Sequence, residues 1–189
     1  MFKNQNALWY VFILWMNAWC LFSANAYDVR YTALPWLIVA PILIWSKMGT
    51  YEFYYNTYPL IFTSNRSIPK QLLVNYSAGV FIGLTVCISI FYKAIYWSDW
   101  NLIFVTLAFI FFTPALALTF GILARGSKLF EISFILFWYI GPLRAHPIYD
   151  QLFNLPTYQM LQLLALVAVP TFAFLKLAIL SRTLQVHHT

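Results

Sequence analysis

The chain has 189 residues, of which 62% are hydrophobic and only 8% charged, and its mean hydropathy is +0.74. An ordinary soluble domain is about one-quarter charged, because a folded surface in water must be largely polar. This composition therefore excludes a globule wrapped in polar side chains and predicts an all-α, polytopic integral membrane protein whose outer surface meets lipid. The formal net charge of +6 comes from 11 Lys and Arg against 5 Asp and Glu. These basic residues stand singly between apolar runs, as in the loops of membrane proteins, so no nucleic-acid partner is expected.

Six apolar stretches follow in chain order. The first runs from Leu8 to Ala26, and the second from Tyr31 to Trp45, or to about 48 with its flank, holding Pro35 and Pro41. The third is Leu72 to Tyr92 (about 72–94), the fourth Leu102 to Ala124, the fifth Leu129 to Leu143, and the sixth Tyr158 to Leu180, which contains Pro170 and Lys176. A spanning helix takes roughly 20 apolar residues, so the sequence predicts a single domain of about six transmembrane helices. The second and fifth stretches are short; 15 residues reach only ~22 Å. Lys47, Lys128 and Arg144 flank them, and long basic side chains snorkel to the interface and extend such helices.

Charge placement agrees with six crossings. With the N-terminus cytoplasmic, the inner side holds Lys3, Lys47, Arg66, Lys70, Arg125, Lys128, Lys176 and Arg182, and the outer side holds Arg30, Lys93 and Arg144. Both termini then lie inside, as the positive-inside rule asks. Lys3, the first apolar run and Ala24-Asn25-Ala26 share the outline of a cleavable signal. Trp9, Trp15 and Trp19, and the length of the run, read instead as a retained first helix; cleavage would leave five helices in unchanged orientation.

Two connections carry most of the polar residues. The inner one, 46–71, combines Lys47, Glu52, Arg66 and Lys70 with Tyr51, Phe53, Tyr54, Tyr55 and Tyr58, and reads as a membrane-surface element. The outer one, 144–156, holds His146 and Asp150 four residues apart, a spacing that suits an acid/base pair on one helical face; a capped, exposed turn between prolines is the structural alternative. His187 and His188 near the C-terminus read as a solvated tail, and Cys20 and Cys87, without a CxxC partner, as packing residues. Neither a metal nor a cofactor is expected. There is no phosphate-cradling glycine loop, so nucleotide hydrolysis would belong to a partner.

Within the spans, Lys128 and Glu131 share a helical face and with Arg125 form a candidate interfacial charge cluster. Asn17, Asn75, Ser77, Thr85, Ser89, Thr106, Thr113 and Thr119 are expected to bond neighbouring helices, and Gly79 and Gly83 to permit close helix approach.

Two stretches carry a family resemblance. WSKMGTYEFYYNTYPLIFTSNRSIPKQ (Trp45 to Gln71), running into Asn75 to Val80, and FTPALALTFGILARGSKLFEISFILFWYIGP (Phe112 to Pro142) resemble the membrane-spanning permease subunits of bacterial ABC exporters. The resemblance implies a multi-pass, non-enzymatic transport subunit of the inner membrane that dimerises with another permease chain. It further implies that a separate ATP-binding subunit docks on the cytoplasmic loop, with Glu52, Tyr55, Arg66 and Lys70 as candidate contacts. The chain is shorter than such permeases and reads as a minimal subunit or the C-terminal part of a longer one. Two rival readings stand beside it: a non-catalytic membrane scaffold or assembly protein, and an intramembrane lipid-modifying enzyme working through His146 and Asp150.

Overall fold

The computed structural model describes residues 7–23, 25–48, 50, 68–124, 126–143, 151 and 153–187. All of the regular structure among them is helical. In chain order the elements are α1 (Ala7–Phe22), α2 (Ala26–Trp45), α3 (Ile68–Val86), α4 (Ile88–Tyr96), α5 (Trp100–Ala124), α6 (Lys128–Trp138) and α7 (Thr157–His187). By length and composition α2 and α5 can each cross a membrane, and α3 with α4 makes a third crossing if the bent pair counts as one. Helix α1, of 16 residues, and the apolar Ala165–Leu180 portion of α7 are shorter.

Helix α5 is the axis of the bundle. Its buried residues, Leu102, Thr106, Ile110, Pro114, Leu118 and Ile122 among them, occur on several sides of the helix, and α3, α4, α6 and α7 all pack on it. The direction of each helix follows from its cross-links. Asn101 near the start of α5 donates to the Phe153 and Leu155 carbonyls at 2.9 and 2.8 Å. Some 18 residues on, Thr119 donates to the Phe174 carbonyl of α7 at 2.9 Å. Helices α5 and α7 thus run parallel, and α6 must carry the chain back along them. Helices α1 and α4 are likewise parallel neighbours, joined by Lys93 Nζ donating to the Ser23 carbonyl at 2.7 Å. The ends of α1 and α4, the starts of α2 and α5, and the segment leading into α7 therefore meet at one end of the bundle.

Several helices are interrupted, and each interruption has a local answer. A π-helical turn, Val29–Ala33, opens α2, and another, Tyr139–Leu143 with Pro142 inside it, continues α6. In α2 the amides of Ile44 and Trp45 both donate to Pro41 O at 2.9 Å, which frees the Ala40 carbonyl from its usual partner four residues on. The Trp9 indole donates to that carbonyl at 2.8 Å. Two further indoles bond backbone carbonyls across helices: Trp45 Nε1 to Gly79 O at 3.1 Å and Trp138 Nε1 to Pro35 O at 2.8 Å. Beside Pro114, whose ring disturbs the ladder of α5, Tyr76 donates its hydroxyl to Phe111 O at 3.1 Å. Replacing Trp45 with Phe keeps most of the packing and removes this one interhelical hydrogen bond, so a loss of about 1 kcal/mol is expected, read as a lower melting midpoint in detergent.

Three expectations need correction. The third apolar stretch is not one straight helix: it breaks at Cys87, where α3 and α4 meet at 56° and the Ile90 amide donates to Cys87 O rather than to the carbonyl four residues back. No proline or glycine at that position signals the break. Ser46 and Met48 are buried to within 2%, so the start of the expected 46–71 surface loop lies in the core against α3. Finally, Thr106, Thr113, Thr119, Thr85 and Ser77 donate to carbonyls three or four residues back in their own helices; of these only Thr119 has a recorded bond to a neighbouring helix. A hydroxyl on a helix finds its own backbone first, because that acceptor is always within reach.

Gly79 and Gly83 do act as close-approach residues. A methyl group on Gly79 would lie 2.8 Å from Met48 Cε and 2.9 Å from Pro114 Cβ; one on Gly83 would lie 3.0 Å from Ile110 Cγ2 and 3.2 Å from Trp45 Cζ2. These two glycines let α3 seat against both α5 and the C-terminal end of α2.

Candidate functional site

The best-defined polar site lies at the end of the bundle where Ser23, Arg30, Lys93, Asp99 and Asn101 converge. Its construction begins with the turn between α4 and α5. The Ser98 amide donates to Ile95 O at 3.1 Å and the Asp99 amide to Ala94 O at 2.8 Å, a pair of bonds that closes a helix end around a left-handed residue. Ser98 supplies that conformation with φ 54°. Because a side chain is strained there and glycine is not, Ser98→Gly should stabilise the protein by roughly 0.5–1 kcal/mol, measurable as a higher melting midpoint.

The turn delivers Asp99 to the start of α5, where Oδ1 accepts from the Leu102 amide at 3.3 Å. Its other oxygen, Oδ2, accepts from Arg30 Nε at 3.0 Å and Nη2 at 2.5 Å. The two side chains are 25% and 11% exposed. The Arg30 guanidinium also lies 5.3 Å from the Phe153 ring centre, and Phe153 is held by Asn101 through its carbonyl and packs near Tyr31. One ion pair thus joins the start of α2, the start of α5 and the approach to α7.

Lys93 forms the second half of the site. It is 9% exposed; its ammonium caps the carbonyl end of α1 at Ser23 and faces the rings of Trp97 at 5.1 Å and Tyr96 at 6.0 Å. A cation at the C-terminal end of a helix complements both its free carbonyls and its dipole. Deeper along the same seam between α1 and α4 the buried Cys20 thiol faces the buried Ser89 hydroxyl, and Asn17 Oδ1 has no hydrogen-bond partner among the described residues.

Charge counting placed Arg30 and Lys93 together at this end; nothing in the local sequence announced Asp99 as the partner of a residue 69 positions away. Of the other predicted residues, Lys128 and Glu131 do meet, at 3.5 Å, with Lys128 85% exposed, so this is an ordinary surface pair that contributes little to stability. Lys70 is exposed in the first turn of α3. Glu52, Tyr55, Arg66, Arg125, His146 and Asp150 lie outside the described residues. Comparison with protein-family models, curated proteins and solved structures finds no match to this chain.

Proposed function

We propose that the chain is an integral membrane protein that crosses the bilayer six times and serves as a transport subunit without enzymatic activity of its own. The observation that carries the membrane reading is the exterior. Leu8 is 79% exposed, Phe22 88%, Phe81 67%, Leu166 71% and Phe172 73%, and similar residues cover α6. A soluble monomer rarely exposes contiguous apolar patches beyond a few hundred Å², whereas hydrocarbon accepts this surface on every side. The internal bonding fits the same solvent: the carbonyl of Ala40, freed at the break at Pro41, is met by the Trp9 indole, as lipid demands where water cannot. The parallel course of α5 and α7, with α6 between them in sequence, supports six passes with both termini on one face, and the distribution of basic residues favours the cytoplasmic face for them, in a bacterial inner membrane by the family resemblance.

The transport reading rests on the interruptions. Helix α2 changes pitch and then breaks at Pro41, α3 and α4 meet at an angle, and α6 ends in a π-helical turn. Interrupted helices that meet inside a bundle are the usual means by which transporters form sites and bend. A separate ATP-binding subunit, docked through the 46–71 loop with Glu52, Tyr55, Arg66 and Lys70 among its contacts, would supply the energy, and a second permease chain would complete the path. Affinity purification in mild detergent should recover a nucleotide-binding chain, and exchanging residues 52–66 for a Gly/Ser sequence should abolish that recovery. Purification without any such chain would favour the second reading, a membrane scaffold, which the tight Arg30–Asp99 tie between three segments supports.

A further inference from the structure

We propose that the face formed by α1, α2 and α6 thins the bilayer beside it and is covered by phospholipids with short acyl chains. The inference rests on the six-pass membrane reading but not on transport. The three helices are neighbours: Trp36 of α2 packs edge-on against Phe12 of α1, at 6.3 Å, and against Trp138 of α6, at 5.3 Å. Their apolar lengths agree. Helix α1 has 16 residues, with Asn6 before it and Ser23 after it in sequence, and is therefore about 24 Å long. On α2, Arg30 and Lys47 stand about 25 Å apart by the same rise per residue. Helix α6 and its π-helical continuation lie between Lys128 and Arg144 in sequence and reach no more than about 24 Å. The hydrocarbon core of a typical bilayer is about 30 Å thick.

Basic side chains that reach outward can also accommodate a short span, but on this face two of them are committed to partners. Lys128 meets Glu131, one turn into α6, at 3.5 Å, which draws the polar boundary of that helix toward the membrane centre. Arg30 is tied to Asp99 at the start of α5. The face itself is open: Leu8, Val11 and Leu14 of α1 and Ile132, Leu136 and Ile140 of α6 are 56–79% exposed. Elsewhere the girth is ordinary, since α3 and α4, bent by 56°, together reach about 33 Å along the α3 axis. A bilayer meets a locally short face by thinning, and lipids with shorter chains lower the cost.

The test places a bimane label on Ile132→Cys, on the thin face, or on Phe81→Cys of α3, where the native residue is 67% exposed; the native Cys20 and Cys87 are buried. The full chain is reconstituted in brominated dioleoyl-phosphatidylcholine, which quenches the label, mixed with an equal part of dimyristoleoyl- or dierucoyl-phosphatidylcholine. At Ile132→Cys the short-chain competitor should displace the quencher about threefold better than the long-chain one, the scale set by ~6 Å of mismatch. At Phe81→Cys it should have no such advantage. Lys128→Leu with Glu131→Leu adds an apolar turn to α6 at a pair that contributes little to stability, and should remove the advantage at Ile132→Cys. Equal competition at Ile132→Cys, or an advantage that survives the lengthened helix, overturns the inference. The same short-chain advantage at both positions overturns its assignment to one face. Quenching at Phe81→Cys alone means that protein, such as a second copy of this chain, covers the face and overturns lipid as its occupant. Quenching at neither position contradicts the membrane reading itself.

Discussion

Replacing Gly79 with valine will destabilise the bundle more than any other single substitution on α3. The first added carbon alone would sit 2.9 Å from Pro114 Cβ, and a proline ring cannot rotate aside, because it is closed onto its own backbone. Met48 Cε, at 2.8 Å, is the far end of a flexible side chain and can move. Relief must therefore come from separating α3 and α5. Overpacking of this kind costs about 1–3 kcal/mol, and valine, with two further methyl groups, belongs at the upper end. Gly83→Ala should cost less than Gly79→Ala: its nearest neighbours are the Cγ2 methyl and Cγ1 methylene of Ile110 and the rim of the Trp45 ring, at 3.0–3.2 Å, which can yield by a few tenths of an ångström. Gly141→Ala meets nothing within 4 Å and serves as the control, with no loss expected from crowding. Melting midpoints in one detergent should fall in the order Gly79→Val, Gly79→Ala, Gly83→Ala, Gly141→Ala, the first lowest.

The second large effect is expected at the Arg30–Asp99 pair. Asp99→Ala removes the acceptor of two guanidinium donors and the cap on Leu102, and takes the carboxylate away from an Arg30 that is three-quarters buried beside Phe153. Removing one partner of an enclosed pair costs about 3 kcal/mol, much of it the penalty on the group left behind. Arg30→Met should cost less, since it strands a carboxylate that still accepts from the Leu102 amide. The double variant Arg30→Met with Asp99→Leu should recover part of the loss, because no lone charge then remains. If the double variant melts at the sum of the two single losses, the charges do not interact, and the tie between α2 and α5 must be assigned to packing alone.

Much of this architecture was legible in the sequence, and the reason is local. Runs of apolar residues placed the described helices to within about seven residues at either end, with one run covering both α3 and α4, since hydrophobicity along a segment is a property of that segment. Gly79 and Gly83 were legible as well, because residues four apart share a helix face whatever lies opposite. What the sequence concealed was pairing. Asp99 belongs to Arg30, the Trp9 indole to the carbonyl freed by Pro41, and Trp138 to Pro35, 103 positions away. The tryptophans resemble interface anchors by composition, yet Trp45 is almost completely enclosed and serves the backbone of another helix. The break at Cys87 was hidden for a different reason: the residues around it, Thr85, Val86, Ile88 and Ile90 among them, are only moderate helix formers, and none is the proline or glycine that marks a break.

The central claim, a bundle whose helix ends are sorted between two faces of a membrane, is tested most directly by placing one reactive thiol at each end. Ser98 and Lys128 are exposed and lie at opposite ends, and the native Cys20 and Cys87 are buried, so their background should be low. With a membrane-impermeant maleimide, Ser98→Cys should label in intact cells and Lys128→Cys only after permeabilisation. Labelling of both from the same side, or recovery of the unlabelled chain in a soluble fraction without detergent, would contradict the account.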